Sequence, residues 1–205
     1  MKRIGVLGFQ GSVDEHLKAI ERVGHFPLLV REKTHLKEID GLILPGGEST
    51  TFLKLLHTSG LYEPLLAGIK EGLPVLATCA GLIVLASKVS QPEQASMALL
   101  DISVQRNGYG SQYESFCEEV KVEGFKKTFR AVFIRAPLIQ SVGPGVSILS
   151  VDHAGHPVFV QQEHLWGLTF HPELTQDDRI HELFCSNISN SGLRRSKDVR
   201  TFQVA

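Results

Sequence analysis

"VLATCAGLIVLA", residues 75–86, is the stretch on which the fold turns. Val75 to Ala77 continue a short, unbroken apolar run opened by Pro74, the pattern of a strand buried on both faces. From Gly81 to Ser87 the pattern is that of a helix. Cys79 falls at the junction, with the small residues Ala80 and Gly81 leaving room around its sulfur. A buried strand that runs directly into a helix is a unit of a parallel α/β sheet. In such sheets ligands gather at the carboxyl ends of the strands, and a residue at the strand-to-helix turn is lifted above the sheet. A cysteine placed there is a candidate nucleophile, because helix N-termini favour the thiolate, its reactive form. A free cysteine is as much at home as a small buried hydrophobe, so a partner base has to decide between the two.

The first half of the chain repeats this rhythm. "RIGVLGF" (3–9), "FPLLV" (26–30) and "GLILPGG" (41–47) read as strands, alternating with an amphipathic segment from Ser12 to Val23 and helices near Thr50 to His57 and Tyr62 to Glu71. Ser12 and Glu15 have the S-x-x-E spacing of a capping box, which starts the first helix at Ser12, just after a turn at Gln10 and Gly11. The second half changes to short strand-like runs: "DISVQRN" (101–107), "FCEEVKV" (116–122), "AVFIRAP" (131–137), "VSILSVD" (146–152), "PVFVQQ" (157–162) and "LWGLTF" (165–170). Antiparallel pairing and a return to the main sheet suit these best. Helical character reappears from Asp178 to Ser189, and residues 191–205 form a polar, basic tail. The expected architecture is α/β: a mostly parallel central sheet with helices on both faces and an antiparallel extension, in one domain spanning residues 1–190.

Composition narrows the function. The 205 residues carry a formal net charge of −1, with no basic stripe for nucleic acid. No apolar run approaches the ~18 residues that a membrane span needs. The N-terminus reaches Asp14 and Glu15 before any cleavage-type segment, so a cytoplasmic protein acting on a small molecule is expected. The three cysteines, Cys79, Cys117 and Cys185, are far apart and lack C-x-x-C spacing, which indicates neither a disulfide framework nor a zinc site. Cys117 and Cys185 are read as structural. His153 and His156 in "VDHAGHP" are read as a polar turn rather than a metal site, and no metal or cofactor is expected.

A base for Cys79 is offered by "LTFHPELT", residues 168–175. Pro172 holds the backbone extended after a strand-like run, and in an extended segment His171 and Glu173 point to the same side. Glu173 can then fix the tautomer of His171, and His171 can take and return the thiol proton. Alone, the trio would be a solvated strand end; beside a junction cysteine it is a base with its orienter. "ILPGGEST", residues 43–50, ends another central strand, and Gly46 and Gly47 let backbone N–H groups approach a developing oxyanion closely. The rival reading is a simple turn with Ser49 as a helix cap; a phosphate loop lacks both of its glycine signatures.

With these pieces in place, the chain resembles the class I, triad-type glutamine amidotransferases, and among them the glutaminase subunits of pyridoxal 5′-phosphate synthase. The resemblance runs from "IGVLGFQGSVDEH" through "LILPGGEST", "ATCAGLI", "QRNGYGSQ" and "FIRAP" to "FHPELT". It implies a flavodoxin-like three-layer sandwich and a catalytic triad of Cys79, His171 and Glu173. It also implies an oxyanion hole from Gly46, Gly47 and Ala80, and a glutamine site at Gly47, Glu48, Ser49, Arg106, Ile134 and Arg135. The charges of Arg106, Arg135 and Glu48 suit the two ends of a zwitterion. The implied activity is hydrolysis of L-glutamine through a Cys79 thioester. The ammonia is then handed to a (β/α)8-barrel synthase subunit within a large hetero-oligomer, without nucleic acid or membrane. Ala77 stands where the family usually has glycine, and Gly108, Tyr109 and Ser111 also depart from its pattern.

Two other classes compete with this reading. A free-standing cysteine hydrolase or chaperone of a related flavodoxin-like fold would keep the junction cysteine but need neither "HPE" nor the two arginines. A catalytically idle binding subunit would not need a complete triad.

Overall fold

The computed structural model describes residues 1–109 and 115–188. Its first half follows the alternation read from the sequence: β1 (Arg3–Leu7), α1 (Val13–Arg22), β2 (Phe26–Val30), β3 (Gly41–Leu44), α2 (Ser49–Thr58), α3 (Tyr62–Lys70), β4 (Val75–Thr78) and α4 (Ala80–Leu85). Strands β2, β1, β3 and β4 are parallel neighbours in that order. The sheet is completed by β10 (Ser147–Val151), β11 (Pro157–Gln162) and β12 (Leu165–Leu168), giving the order β10-β11-β12-β4-β3-β1-β2. β10 and β11 run antiparallel to their neighbours, while β12 returns parallel beside β4. That return is what brings the C-terminal third of the chain to the end of β4.

Period-two alternation in the central strands builds two cores. Leu42, Leu44, Val75 and Ala77 face Phe52, Leu56, Leu65, Ile69 and Leu82 of α2, α3 and α4. Ile43 and Leu76, with Ile4 and Val6, face Ile20 of α1 and Ile180 and Phe184 of α5 (Arg179–Asn187). Helices thus cover both faces, giving the flavodoxin-like three-layer arrangement. Ala77, the departure at the elbow, is fully buried in β4 opposite Leu44 and Gly167. The remaining strands form two small sheets: β5 (Ala86–Ser90), β6 (Leu100–Gln105) and β9 (Leu138–Val142) in one, β7 (Ser115–Val120) and β8 (Phe129–Ile134) in the other.

Several local expectations are corrected. The helix after Cys79 ends at Leu85 and not at Ser87, because Ala86 turns extended (φ −56°, ψ 146°) and joins β5, which pairs parallel with β6. All six residues of α4 are buried, so no amphipathic stripe marks its end in the sequence. Ser12 is the N-cap of α1, but its side chain makes no capping hydrogen bond, so the capping box does not form. The space at Gly81 serves β3 more than the sulfur, since a Cβ there would lie 2.2 Å from the Leu44 carbonyl oxygen. Cys185 is buried, which pushes its thiol up to about 11, but Cys117 is exposed and does not act as a core residue. Ser111, residues 191–205 and the end of the C-terminal helical segment at Ser189 lie outside the described residues.

Candidate active site

Cys79 occupies the sharp junction between β4 and α4 with φ 48° and ψ −102°, a left-handed conformation that costs about 1–3 kcal/mol for a side-chain-bearing residue. The surroundings hold it there: the Cys79 N–H donates to the Leu168 carbonyl at 2.8 Å, and the Cys79 carbonyl accepts from Ile83 at 3.2 Å. Its thiol faces the Ile134 carbonyl oxygen at 3.8 Å. Cys79 retains only 6% exposure.

His171 follows β12 by three residues and is tied to β8 by its N–H, which donates to Val132 at 2.8 Å. Its ring lines the same cleft as Cys79, and its Nδ1 lies 2.7 Å from Glu173 Oε1. The His171–Glu173 contact forms by a different route from the extended segment expected. Pro172 to Leu174 make a single 3₁₀ turn, closed by N–H groups of Leu174 and Thr175 donating to His171 and Pro172. Proline fits the first position of such a turn, where no N–H is needed. Burial alone would lower the pKa of His171, but its hydrogen bonds with Cys79 and Glu173 outweigh this and raise it. Burial would likewise raise Glu173, and the imidazoles of His16 and His171 more than offset that and hold it ionised.

The glycine pair lies against this array. A Cβ on Gly46 would come within 2.3 Å of His171 Cε1, and one on Gly47, whose φ is +136°, within 2.9 Å of the Gln10 amide. Only glycines allow the loop to sit between the imidazole and Gln10. The cleft above Cys79, of ≈ 180 Å³, is lined by Gly47, Glu48, Ser49, Arg106, Ile134 and Arg135, together with Cys79, His171, Ile83 and Asn107. All six residues expected to bind glutamine are therefore gathered at the thiol. Gly46 and Ala80 are not part of the lining; Gly46 lies behind Gly47 against the His171 ring, and Ala80 opens α4.

Within the cleft, Arg106 Nη2 donates to Glu48 Oε1 at 2.7 Å. The two charges expected for opposite ends of a zwitterion thus hold each other here. Ser49 Oγ donates to Gln94 Oε1 at 2.9 Å. Cys79, Asn107 and Arg135 all line the cleft, and each has a positive φ of 44–50°. Such strain concentrates at working sites. Asn107 was missed by the sequence reading, although "RNG" has the composition of a left-handed turn. Ile83 was missed because it reads as core.

A larger, more open groove of ≈ 1260 Å³ lies elsewhere, lined by Phe125, Lys126, Lys127, Arg130 and Arg179 among others. It contains no member of the triad, so size does not identify the site. His153 and His156 lie beside separate carboxylates, Glu118 at 2.9 Å and Asp152 at 3.1 Å, and no group of three metal-ligating side chains occurs among the described residues.

The profile of the SNO glutamine amidotransferase family matches residues 6–190. The chain belongs to that family. It is similar to the pyridoxal 5′-phosphate synthase subunit PdxT of Fervidobacterium nodosum, with 48% identity over 182 residues, 88% of this chain and 94% of that protein. The subunit of the same name from Kosmotoga olearia is 48% identical over 188 residues, 91% of this chain and 97% of that protein. A crystal structure of a glutamine amidotransferase superposes with a TM-score of 0.84 at 42% identity, covering 89% of this chain and 97% of that one. As a member of the SNO glutamine amidotransferase family, the chain is an amide hydrolase that acts on glutamine.

Proposed function

We propose that Cys79, His171 and Glu173 carry out this hydrolysis and that the ammonia serves a pyridoxal 5′-phosphate synthase. His171 accepts the Cys79 thiol proton, and the sulfur attacks the side-chain carbonyl carbon of L-glutamine. The resulting oxyanion is met by backbone N–H groups of the Gly46–Gly47 loop and Ala80. Collapse of the tetrahedral intermediate breaks the C–N bond. The nitrogen leaves as ammonia with the proton returned by His171, and a γ-glutamyl thioester remains on Cys79. Water, deprotonated by His171, then attacks the thioester, releasing glutamate and restoring the thiol. Glu173 keeps the His171 tautomer fixed throughout and stabilises the imidazolium. Arg106, Arg135, Glu48, Ser49 and Ile134 hold the amino-acid end of the substrate.

The observation that carries this reading is the His171–Glu173 pair, 2.7 Å apart, with His171 lining the same cleft as Cys79, Glu48, Arg106 and Arg135. The relatives are named as synthase subunits, which supports a partner subunit for this chain too. We assign that partner as the (β/α)8-barrel synthase in a hetero-oligomer, the catalytic domain as residues 1–190, and the setting as the cytoplasm. The cysteines among the described residues are free, as thiol chemistry in a reducing compartment requires. No helix among the described residues is long and apolar enough to cross a membrane. The test is incubation with a chloroketone analogue of glutamine, with and without the synthase subunit, followed by intact-mass and peptide analysis. One adduct on Cys79, blocked by glutamine, is expected; no adduct in either condition would overturn the assignment.

A further inference from the structure

Behind the triad lies a second pair of imidazoles that the hydrolysis described above does not use. His16 of α1 and His181 of α5 are both fully buried. His16 Nδ1 stands 2.9 Å from His181 Nε2, while His16 Nε2 stands 3.4 Å from Glu173 Oε2 and 3.4 Å from the hydroxyl of Thr78. Neither Glu173 Oε2 nor His181 Nδ1 completes a hydrogen bond, so the 3.4 Å approach of His16 Nε2 is an electrostatic contact with an otherwise unpartnered carboxylate oxygen. Together with the 2.7 Å contact from His171 to Glu173 Oε1, this makes a continuous file of buried side chains from His171 to His181 of α5.

Both rings are neutral, since burial disfavours their charge, so each carries one N–H. Two placements of the protons are available. If His16 donates from Nδ1 to His181 Nε2, then His181 must carry its own N–H on Nδ1, a buried donor with no acceptor. The bare Nε2 of His16 would also face a carboxylate oxygen, lone pair against lone pair. If instead His181 donates from Nε2 to His16 Nδ1, His16 must carry its proton on Nε2, aimed at Glu173 Oε2 with Thr78 Oγ1 sharing it. The only unsatisfied group is then an acceptor lone pair on His181 Nδ1. A buried unpaired N–H and a repelled carboxylate are both costly, so the second placement prevails.

We propose that His16 is a positioning residue of the active site, its Nε2–H holding Glu173 Oε2 so that Oε1 stays on His171, and that His181 fixes the tautomer of His16. A buried carboxylate bonded through one oxygen and drawn toward an N–H at the other is held against rotation, and its aim sets the aim of His171. The inference rests on the assignment of Cys79, His171 and Glu173 as the triad.

The test compares His16→Asn and His16→Gln in the full chain with the synthase subunit present. Asparagine places its amide nitrogen near the δ position of the ring, and glutamine near the ε position. His16→Asn should lower kcat by about tenfold, the scale of one hydrogen bond to a charged group, with KM for glutamine within about twofold of wild type. His16→Gln should recover most of that loss. In a Glu173→Ala background, His16→Asn should cost nothing further, because its effect passes through Glu173. Equal losses in the two His16 variants, an unchanged kcat in His16→Asn, or full additivity with Glu173→Ala would each overturn the proposal. Should the variants not fold, long-range ¹H–¹⁵N spectra of the wild-type histidine rings decide. Nε2–H tautomers are expected for His16 and His181, and a proton on His16 Nδ1 would refute it. A wild-type chain that fails to hydrolyse glutamine would count against the proposed triad instead, so the two failures are distinct.

Discussion

The side-chain amide of Gln10 grips Glu48 at both ends of its main chain: Nε2 donates to the Glu48 carbonyl at 2.8 Å, and Oε1 accepts from the Glu48 N–H at 3.2 Å. The loop after β1 is thereby fastened to the glycine loop after β3, which carries the expected oxyanion donors. Ammonia released to water is protonated and lost as a nucleophile, so a glutaminase that feeds a second enzyme gains from working only when docked. A movement of the β1 loop on docking would be passed to the Gly46–Gly47 peptide by this double bond. The isolated chain is therefore expected to be a poor glutaminase that its synthase stimulates about 10²-fold or more, the effect of restoring one oxyanion donor. Gln10→Ala should lose most of that stimulation. Ammonia release by the chain alone, equal to that of the mixture at saturating glutamine, would contradict both expectations.

The triad should respond to substitution as a unit. Cys79→Ala and Cys79→Ser are expected to abolish ammonia production and His171→Asn nearly so, while Glu173→Ala should be milder because orienting the base matters less than supplying it. Steady-state ammonia assays with the synthase present check this order. Near wild-type turnover in Cys79→Ala would remove the nucleophile assignment.

Gly11 offers a test away from the reacting atoms. Its φ is +82°, and a Cβ there would lie 1.8 Å from the Gly46 carbonyl oxygen, which is backbone and cannot swing aside. Gly11→Ala should both strain its own turn, by about 1–3 kcal/mol, and push the glycine loop out of place. Its expected signature is a lowered kcat together with a lowered urea midpoint, although no triad residue has been changed. A fully active, fully stable variant would show that the two loops are not coupled.

Stability should peak near the ordinary pKa of histidine. Burial, the largest influence, holds His16 below 6.5 and His181 down to about 3. For a histidine so lowered, the unfolded chain takes up the proton first. Native stability is then complete above 6.5 and falls as the pH drops toward the folded value. His171 has the opposite sign: burial opposes its charge, its bonds to Cys79 and Glu173 prevail, and its folded value lies above 6.5. Its contribution is complete below 6.5 and lost as the pH rises toward that value. The unfolding free energy read from urea melts should fall on the acid side by up to about 1.4 kcal/mol per pH unit for each of the two lowered rings, and the midpoints with it. Midpoints that stay level from about pH 6.5 down to about pH 5 would refute this.

Glutamine should be strongly preferred to asparagine. A shorter side chain cannot reach Cys79 while its charged end engages Arg106, Arg135 and Glu48, so either those contacts or the attack would be lost. Arg135→Ala should weaken glutamine use, read as a fall in kcat/KM. Comparable hydrolysis of asparagine by the wild-type chain would contradict the site.

The sequence disclosed elements whose residues share one environment. β1, β3 and β4 are short apolar runs because both their faces are buried, and Cys79 stood out because strand and helix patterns meet at it. β5 and β9 were not legible: Ala86–Ser90 continues an apolar helix without a break, and Leu138–Val142 alternates only weakly. The His171–Glu173 contact was foreseen, but the 3₁₀ turn that makes it was not, since Pro172 suits an extended segment and a turn equally well. His16 and His181 gave no signal, because an isolated histidine on an amphipathic helix looks like part of its polar face. Only the meeting of α1 and α5 beneath Glu173 reveals them.

Cys79 follows the fourth strand of the main sheet and His171 the last, with the two small sheets and the antiparallel strands threaded between them in the chain. A growing polypeptide therefore carries Cys79 long before anything exists to activate it. The insertion of β12 beside β4 that completes the sheet is also what carries His171 to the end of the strand that Cys79 follows.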